Sequence, residues 1–280
     1  IMTIARQVSV YGIIAVGMTF VIMTGGIDIS VGSTVALGGV VASMADLAGC
    51  PPIISIFIAI LFGLAAGAIN GFLIAYCKML PFVATLGMLN VIRAASLIIT
   101  KGSALYGMSD SFLKLSAGYL WGVIPYPVVI MLAVFLLGGI LIKHFSLGRF
   151  FLAVGGNEES ARLAGVNTRR VKLSAYVIAG GLTALSGVLL ASRLGTAQPS
   201  TGSGYEQVVI ASVVIGGTSF AGGEGGILQS FVGLMAVQML STCMSALSVD
   251  GFWQKLIEGL MIVAIIAADC YSRKRKRENV

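Results

Sequence analysis

The sequence predicts an all-α polytopic membrane protein. Three observations carry that prediction. Of 280 residues, 57% are hydrophobic and only 10% are charged, against about 25% charge in a soluble globular domain. Apolar runs of roughly 20 residues recur along the chain, the length a helix needs to cross a bilayer core. These runs lack the apolar-polar alternation of a membrane β-barrel, and backbone groups inside lipid must be satisfied within each segment, which selects helices.

Breaks at Gly, Pro and charged residues divide the chain, read as one transmembrane domain over 1–280, into nine candidate spans. They cover 8–24, 31–48, 53–77, 82–100, 126–145, 173–193, 205–220, 227–247 and 256–271. A charged segment, 146–172, separates the fifth from the sixth, and a basic tail, 272–280, follows the ninth. Placing both in the cytoplasm fits the four spans between them. Inside loops then hold twelve cations (Lys78, Lys143, Arg149, Arg162, Arg169, Arg170, Lys172 and Arg273–Arg277) and outside loops five (Arg6, Lys101, Lys114, Arg193 and Lys255). That asymmetry satisfies the positive-inside rule and fixes the expected orientation. Counting back puts Ile1 outside. Since the first residue is not Met, one further N-terminal span is expected, for a total of ten, and no signal peptide can be assessed. The tail reads as an orientation signal that also meets anionic lipid, not as a nucleic-acid site.

Within 146–172, Asn157 is a good N-cap, Glu158 and Glu159 occupy the first turn where the helix dipole favours anions, and Gly165 suits a left-handed residue past the end. The predicted helix has about two turns, too few to be stable alone, so it needs a partner surface. A membrane protein that keeps such a charged helix in water has something there to touch.

A shift of 170 residues aligns Gly25, Ser30, Gly32 and Ser33 with Gly195, Ser200, Gly202 and Ser203. Five predicted spans separate the copies, and an odd number reverses the chain direction, so the repeat would be inverted. Interrupted helices are tolerated in lipid only where they are buried or line a cavity, which makes 24–33 and 194–204 candidate gates. The same shift pairs Asp28 with Gln198, expected near opposite mouths of the pathway.

An acid at membrane depth costs about 2.5–3.5 kcal/mol on insertion scales, so Asp28 needs a partner. It either caps the following helix or lies at the cytoplasmic interface, or else it hydrogen-bonds a ligand or controls a gate. Asn70, Asn90 and Gln207 lie in apolar spans, as amides that join helices or line a pathway. Arg93 lines the pathway or snorkels toward an interface. Glu206, Glu258 and Asp269 lie near span ends and read as interfacial. The glycine-rich run 216–226 is not followed by Lys and lacks the GxxxxGK[ST] pattern. It reads as a tight cytoplasmic turn with close backbone packing, with Glu224 a candidate contact to a cytoplasmic partner. Cys50, Cys77, Cys243 and Cys270 show no CxxC spacing and His144 is the single histidine, so no metal site is expected and the cysteines read as free thiols. Nothing in the chain resembles catalytic machinery.

The runs "AVGGNEESARLAGVNTRRVK", "IIAVGMTFVIMTGGIDISVGS" and "VVIASVVIGGTSFAGGEGG" resemble the membrane permease of bacterial ATP-binding-cassette importers for ribose and related monosaccharides, over nearly the whole chain. The resemblance implies a ten-helix protomer of the vitamin B12 importer type, with inverted repeats, in the bacterial cytoplasmic membrane. It implies a second permease copy or homologue, a sugar-binding protein on the outer face, and a cytoplasmic ATPase that itself holds ATP and Mg, leaving this chain without cofactor. The ATPase would dock on 155–172, through Asn157, Glu158, Glu159, Arg162, Gly165, Asn167, Arg169 and Arg170. The pathway and gates would involve Asp28, Ser30, Asn70, Asn90, Gln198, Ser200 and Gln207. The alternative is an ion-coupled secondary transporter driven through a membrane carboxylate such as Asp28, which would need no capped helix at 157–165.

Overall fold

The structure, a computed structural model, describes residues 2–278; the side chains of residues 3, 262, 265, 266 and 268–278 are not described. The described residues form α1 (Met2–Met23), α2 (Val31–Leu47), α3 (Pro52–Ala75), α4 (Pro81–Thr100), α5 (Asp110–Ala117), β1 (Tyr119–Leu120), β2 (Ile124–Pro125), α6 (Tyr126–His144), α7 (Ser146–Gly156), α8 (Glu158–Leu163), α9 (Thr168–Leu194), α10 (Tyr205–Ile215), α11 (Ile227–Ala246) and α12 (Gly251–Glu278). The two strands pair antiparallel as a short hairpin before α6.

Each of the nine predicted spans falls on a helix, but among the described residues six helices are long and apolar enough to cross a membrane: α1 from Ile4, α3, α4, α6, α9 and α11. α2 has 17 residues and α10 only 11. At 1.5 Å per residue α10 extends about 17 Å, roughly half the hydrocarbon core. The expected span at 205–220 stops early because Gly216 and Gly217, the latter at φ +97°, end the helix. The segment 146–172 is likewise no loop but α7, α8 and the start of α9. The basic tail 272–280 lies outside the described side chains.

The core is built around α1 and α9. The spanning window of α1 is 89% buried although it is less apolar than those of α3 and α6, which are 28% and 22% buried; lipid is as apolar as a helix face, so the most apolar helices lie outermost and the interior takes helices that pack closely. α9 runs antiparallel to it: Gly17 lies on Ala179, Ser186 Oγ donates to the Val10 carbonyl at 2.7 Å and Tyr176 OH donates to the Ile27 carbonyl at 3.1 Å. α3 also runs antiparallel to α9, and Gly63, Gly67 and Gly71, spaced by four, meet Gly180, Tyr176 and Leu173. Between lipid-embedded helices such small-residue rows permit the close approach from which packing energy comes. The α1–α9 pair defines two ends of the molecule. Met23, Thr168 and α8 mark one; Met2, Leu194 and α5 mark the other, where Ser109 caps α5 and Ser109 N and Oγ both donate to Asp46 at 2.7 Å.

The 170-residue offset reappears in the backbone. Gly25 and Gly195 follow α1 and α9 with φ of +75° and +66°, Lys78 and Ser248 take φ of +57° and +55°, and Pro81 and Gly251 open α4 and α12. Positive φ is uncommon outside glycine, so its recurrence at Lys78 and Ser248 is a geometric match that residue identity does not show.

Candidate functional site

Two groups of residues stand out: a pair of interrupted segments inside the bundle and an exposed surface at the α8 end. The first interrupted segment, 24–30, joins α1 to α2; the second, 195–204, joins α9 to α10. Their starts lie at opposite ends of the α1–α9 pair. Their inner ends converge. Gly32 and Gly202 pack backbone on backbone, and a Cβ on either would run into the other's carbonyl oxygen. The two candidate gates are therefore in direct contact, which the sequence reading did not anticipate.

Asp28 is 3% exposed and Asn70 1%. Asp28 Oδ1 accepts from Ser30 N at 2.9 Å and Ser30 Oγ at 2.6 Å, and Asn70 Nδ2 donates to Ser30 Oγ at 2.8 Å while lying 3.4 Å from both Asp28 oxygens. The carboxylate thus fixes the turn that starts α2, and α3 holds it through Asn70. A buried acid satisfied by an amide and a hydroxyl is a structural anchor. In this conformation neither Asp28 nor Ser30 nor Asn70 faces an open pathway. Gln198 and Ser200, the counterparts of Asp28 and Ser30, are exposed, as are Gln207 and Asn90, and Asn90 Nδ2 donates to the Leu86 carbonyl of its own helix.

Arg93 neither snorkels nor lines the pathway freely. Its NH1 donates to the carbonyls of Pro199 at 2.5 Å and Thr201 at 2.7 Å, clamping the second interrupted segment to α4. Those carbonyls have no helical partner where the chain is unwound, so a fixed fork of donors suits them. Glu206, expected at an interface, instead sits beside the Gly32–Gly202 contact, 2.5 Å from where a Cβ on Gly32 would be.

At the α8 end, Asn157 Oδ1 accepts from Ser160 N at 2.9 Å and Gly165 takes φ +85°, the two caps expected. Asn167 repeats the device for α9, accepting from Arg170 N at 3.1 Å. Arg162 pairs with Glu159 at 2.5 Å, and this hydrogen bond holds the Glu159 carboxyl below its ordinary range; Lys172 pairs with Glu158 at 2.5 Å. Leu163, on the same short helix, is 77% exposed. Asn157, Glu158, Glu159, Arg162, Gly165, Asn167, Arg169 and Arg170 are all exposed and form one surface. Beside it a cleft of about 690 Å³ opens between α8 and the α3–α4 turn, lined by Lys78, Glu158, Arg162, Arg169 and Lys172 among others.

Sequence reasoning missed α7. Its Phe151 is fully buried and packs at 5.4 Å, tilted by 37°, against Phe20 of α1, so the segment before α8 is anchored to the hub helix. Among the described residues no cluster of His, Cys, Asp or Glu could hold a metal, and Cys50, Cys77 and Cys243 are free; Cys270 lies outside the described side chains.

Residues 1–266 match the family model described as "Branched-chain amino acid transport system / permease component". Ribose import permease proteins from Haemophilus influenzae and Bacillus subtilis are 37% and 39% identical to the chain, covering 99% and 96% of it and 86% and 84% of their own lengths. The D-allose transport system permease protein of Escherichia coli is 38% identical over 94% of this chain and 81% of its own. No solved structure matches. With a family model spanning nearly every residue and relatives alike along their lengths, the polytopic helical protein described here belongs to the family of transport-system permease components.

Proposed function

We propose that the chain is the membrane-spanning subunit of an ATP-driven importer for a ribose-like monosaccharide in the bacterial cytoplasmic membrane. The observation that carries this reading is the 37–39% identity to ribose import permeases along nearly the whole chain. The family model's description names amino acids, but relatives alike along most of their lengths include permeases named for ribose, allose and arabinose, and these favour a monosaccharide substrate. The exposed, doubly capped α8 supports docking of a cytoplasmic ATPase, which binds ATP and Mg itself. The repeated positive-φ positions and the antiparallel α1–α9 pair support inverted repeats within a ten-helix, vitamin B12 importer-like protomer. In this reading two permease copies form the pathway, a soluble binding protein delivers the sugar, and 24–33 and 194–204 act as gates. Because nucleotide can shift a conformational equilibrium only through differential affinity for its two states, α8 must be bound differently in the inward and outward forms.

Co-expression with the ATPase and binding protein of the same transport system tests the reading. D-ribose with its binding protein should stimulate ATP hydrolysis by the assembled complex. Assembly with no stimulation by D-ribose, D-allose or L-arabinose would overturn the substrate class.

A further inference from the structure

Three stretches of chain meet beside α8 without any side chain between them. Gly155, two residues before the Asn157 cap, presses on the Met23 carbonyl so closely that no Cβ fits, and a Cβ there would also lie 2.5 Å from Gly223 N. Gly223 N in turn donates to that same Met23 carbonyl at 3.0 Å. Gly222 packs on Gly25, with a Cβ at Gly222 falling 2.6 Å from Gly25 N and 3.0 Å from Gly155 Cα. The three partners are the end of α1 where the first interrupted segment begins, the end of α7, and the turn between α10 and α11.

The geometry points to this glycine junction as the element that carries motion of α8 into the membrane, delivering it to segment 24–30. Side-chain contacts can absorb a displacement by changing rotamer; backbone on backbone at contact distance cannot, and packed interfaces switch between discrete arrangements instead of deforming. Asn157 opens α8 immediately after α7, so a push on α8 reaches Gly155 through two residues and Met23 through one contact. The first interrupted segment then carries it to Gly32 and, across the Gly32–Gly202 contact, to the second. Among the described residues the second interrupted segment makes no such contact with α7 or α8; it is held by Arg93 and by the Leu105–Ala197 bridge. Gly155, Gly222 and Gly223 are thus positioning residues.

The inference rests on the proposed ATP-driven function, so its test begins with a wild-type complex shown to couple ATP hydrolysis to D-ribose uptake; absence of that coupling counts against the function and not the junction. In that complex, Gly222→Ala and Gly223→Ala should leave ATPase affinity unchanged and lower D-ribose transported per ATP hydrolysed by roughly twofold to thirtyfold, the range for substitutions in a coupling network. Gly139→Ala on α6, whose Cβ meets nothing within 4 Å, should change nothing. Wild-type stoichiometry in both junction variants overturns the inference. Should they fail to assemble, spin labels on an otherwise unaltered junction decide. With nucleotide trapped, the distance between labels at Ala153 and Ala221 should hold within about 1 Å while that from Ala153 to Lys114 changes by more. Equal changes in both distances, or none in either, overturn it.

Discussion

Replacing Asn157 with Ala removes a single interaction, the 2.9 Å bond from Ser160 N to the Asn157 side chain. An N-cap contributes about 1 kcal/mol, within a range of roughly 0.5–2. In a long buried helix that loss would vanish among other contacts, but α8 has six residues and only Ala161 among them is buried. A helix that short has almost no propagation to offset nucleation, so the cap is a large part of what keeps it formed. A change of 1 kcal/mol alters the ratio of formed to frayed α8 about fivefold, and a partner that binds only the formed state loses affinity by up to that factor. Titration of the ATPase onto detergent-solubilised permease should show the Asn157→Ala dissociation constant rising by about two- to fivefold. Asn157→Asp, an equally good cap whose charge also suits the helix dipole, should restore wild-type binding. Unchanged ATPase affinity in Asn157→Ala, or a loss that Asp fails to repair, would refute the reasoning that a capped α8 is the docking element.

Other perturbations follow from the packing. Gly67→Val places a branched side chain against the Tyr176 carbonyl at the α3–α9 contact and should cost about 1–3 kcal/mol by overpacking, seen as a lower unfolding temperature in detergent. Asp28→Ala leaves Ser30 N and Ser30 Oγ without their carboxylate acceptor in a buried site, at about 1–3 kcal/mol for each unsatisfied group; it should lower stability, whereas Asn70→Leu should cost less because Asn70 Oδ1 already lacks a partner. In a background without the native cysteines, Ser30→Cys, buried here, and Ser200→Cys, exposed here, should change reactivity to a water-soluble thiol reagent in opposite directions when nucleotide is trapped. Parallel changes would show that the two segments are not alternating gates.

What was legible in the sequence is what local chemistry decides. Asn157 and Gly165 mark the ends of α8 because capping and positive φ are demands that a few residue types meet. The four residue matches at a 170-residue shift pointed to a relation that the structure carries further, to Lys78 and Ser248, where conformation repeats although residue type does not. The rest depended on distant partners. Arg93 is ambiguous in sequence because its acceptors, the Pro199 and Thr201 carbonyls, lie more than a hundred residues away and exist only because that chain is unwound. α7 reads as loop because Ser146, Gly148 and Arg149 mask a helix whose reason for forming is Phe151 buried under Phe20. Asp28 next to glycines reads either as a helix cap or as a gate; only the packing of α3 supplies Asn70 and closes the site.

If uptake through this permease is driven by ATP on a partner docked at α8, D-ribose uptake into sealed proteoliposomes separates that mechanism from ion coupling. The vesicles hold the permease, its ATPase and internal ATP, with the binding protein outside and proton and sodium gradients collapsed. Uptake should require ATP and be insensitive to the gradients. Uptake that follows an imposed ion gradient and ignores ATP would contradict the ATP-driven mechanism.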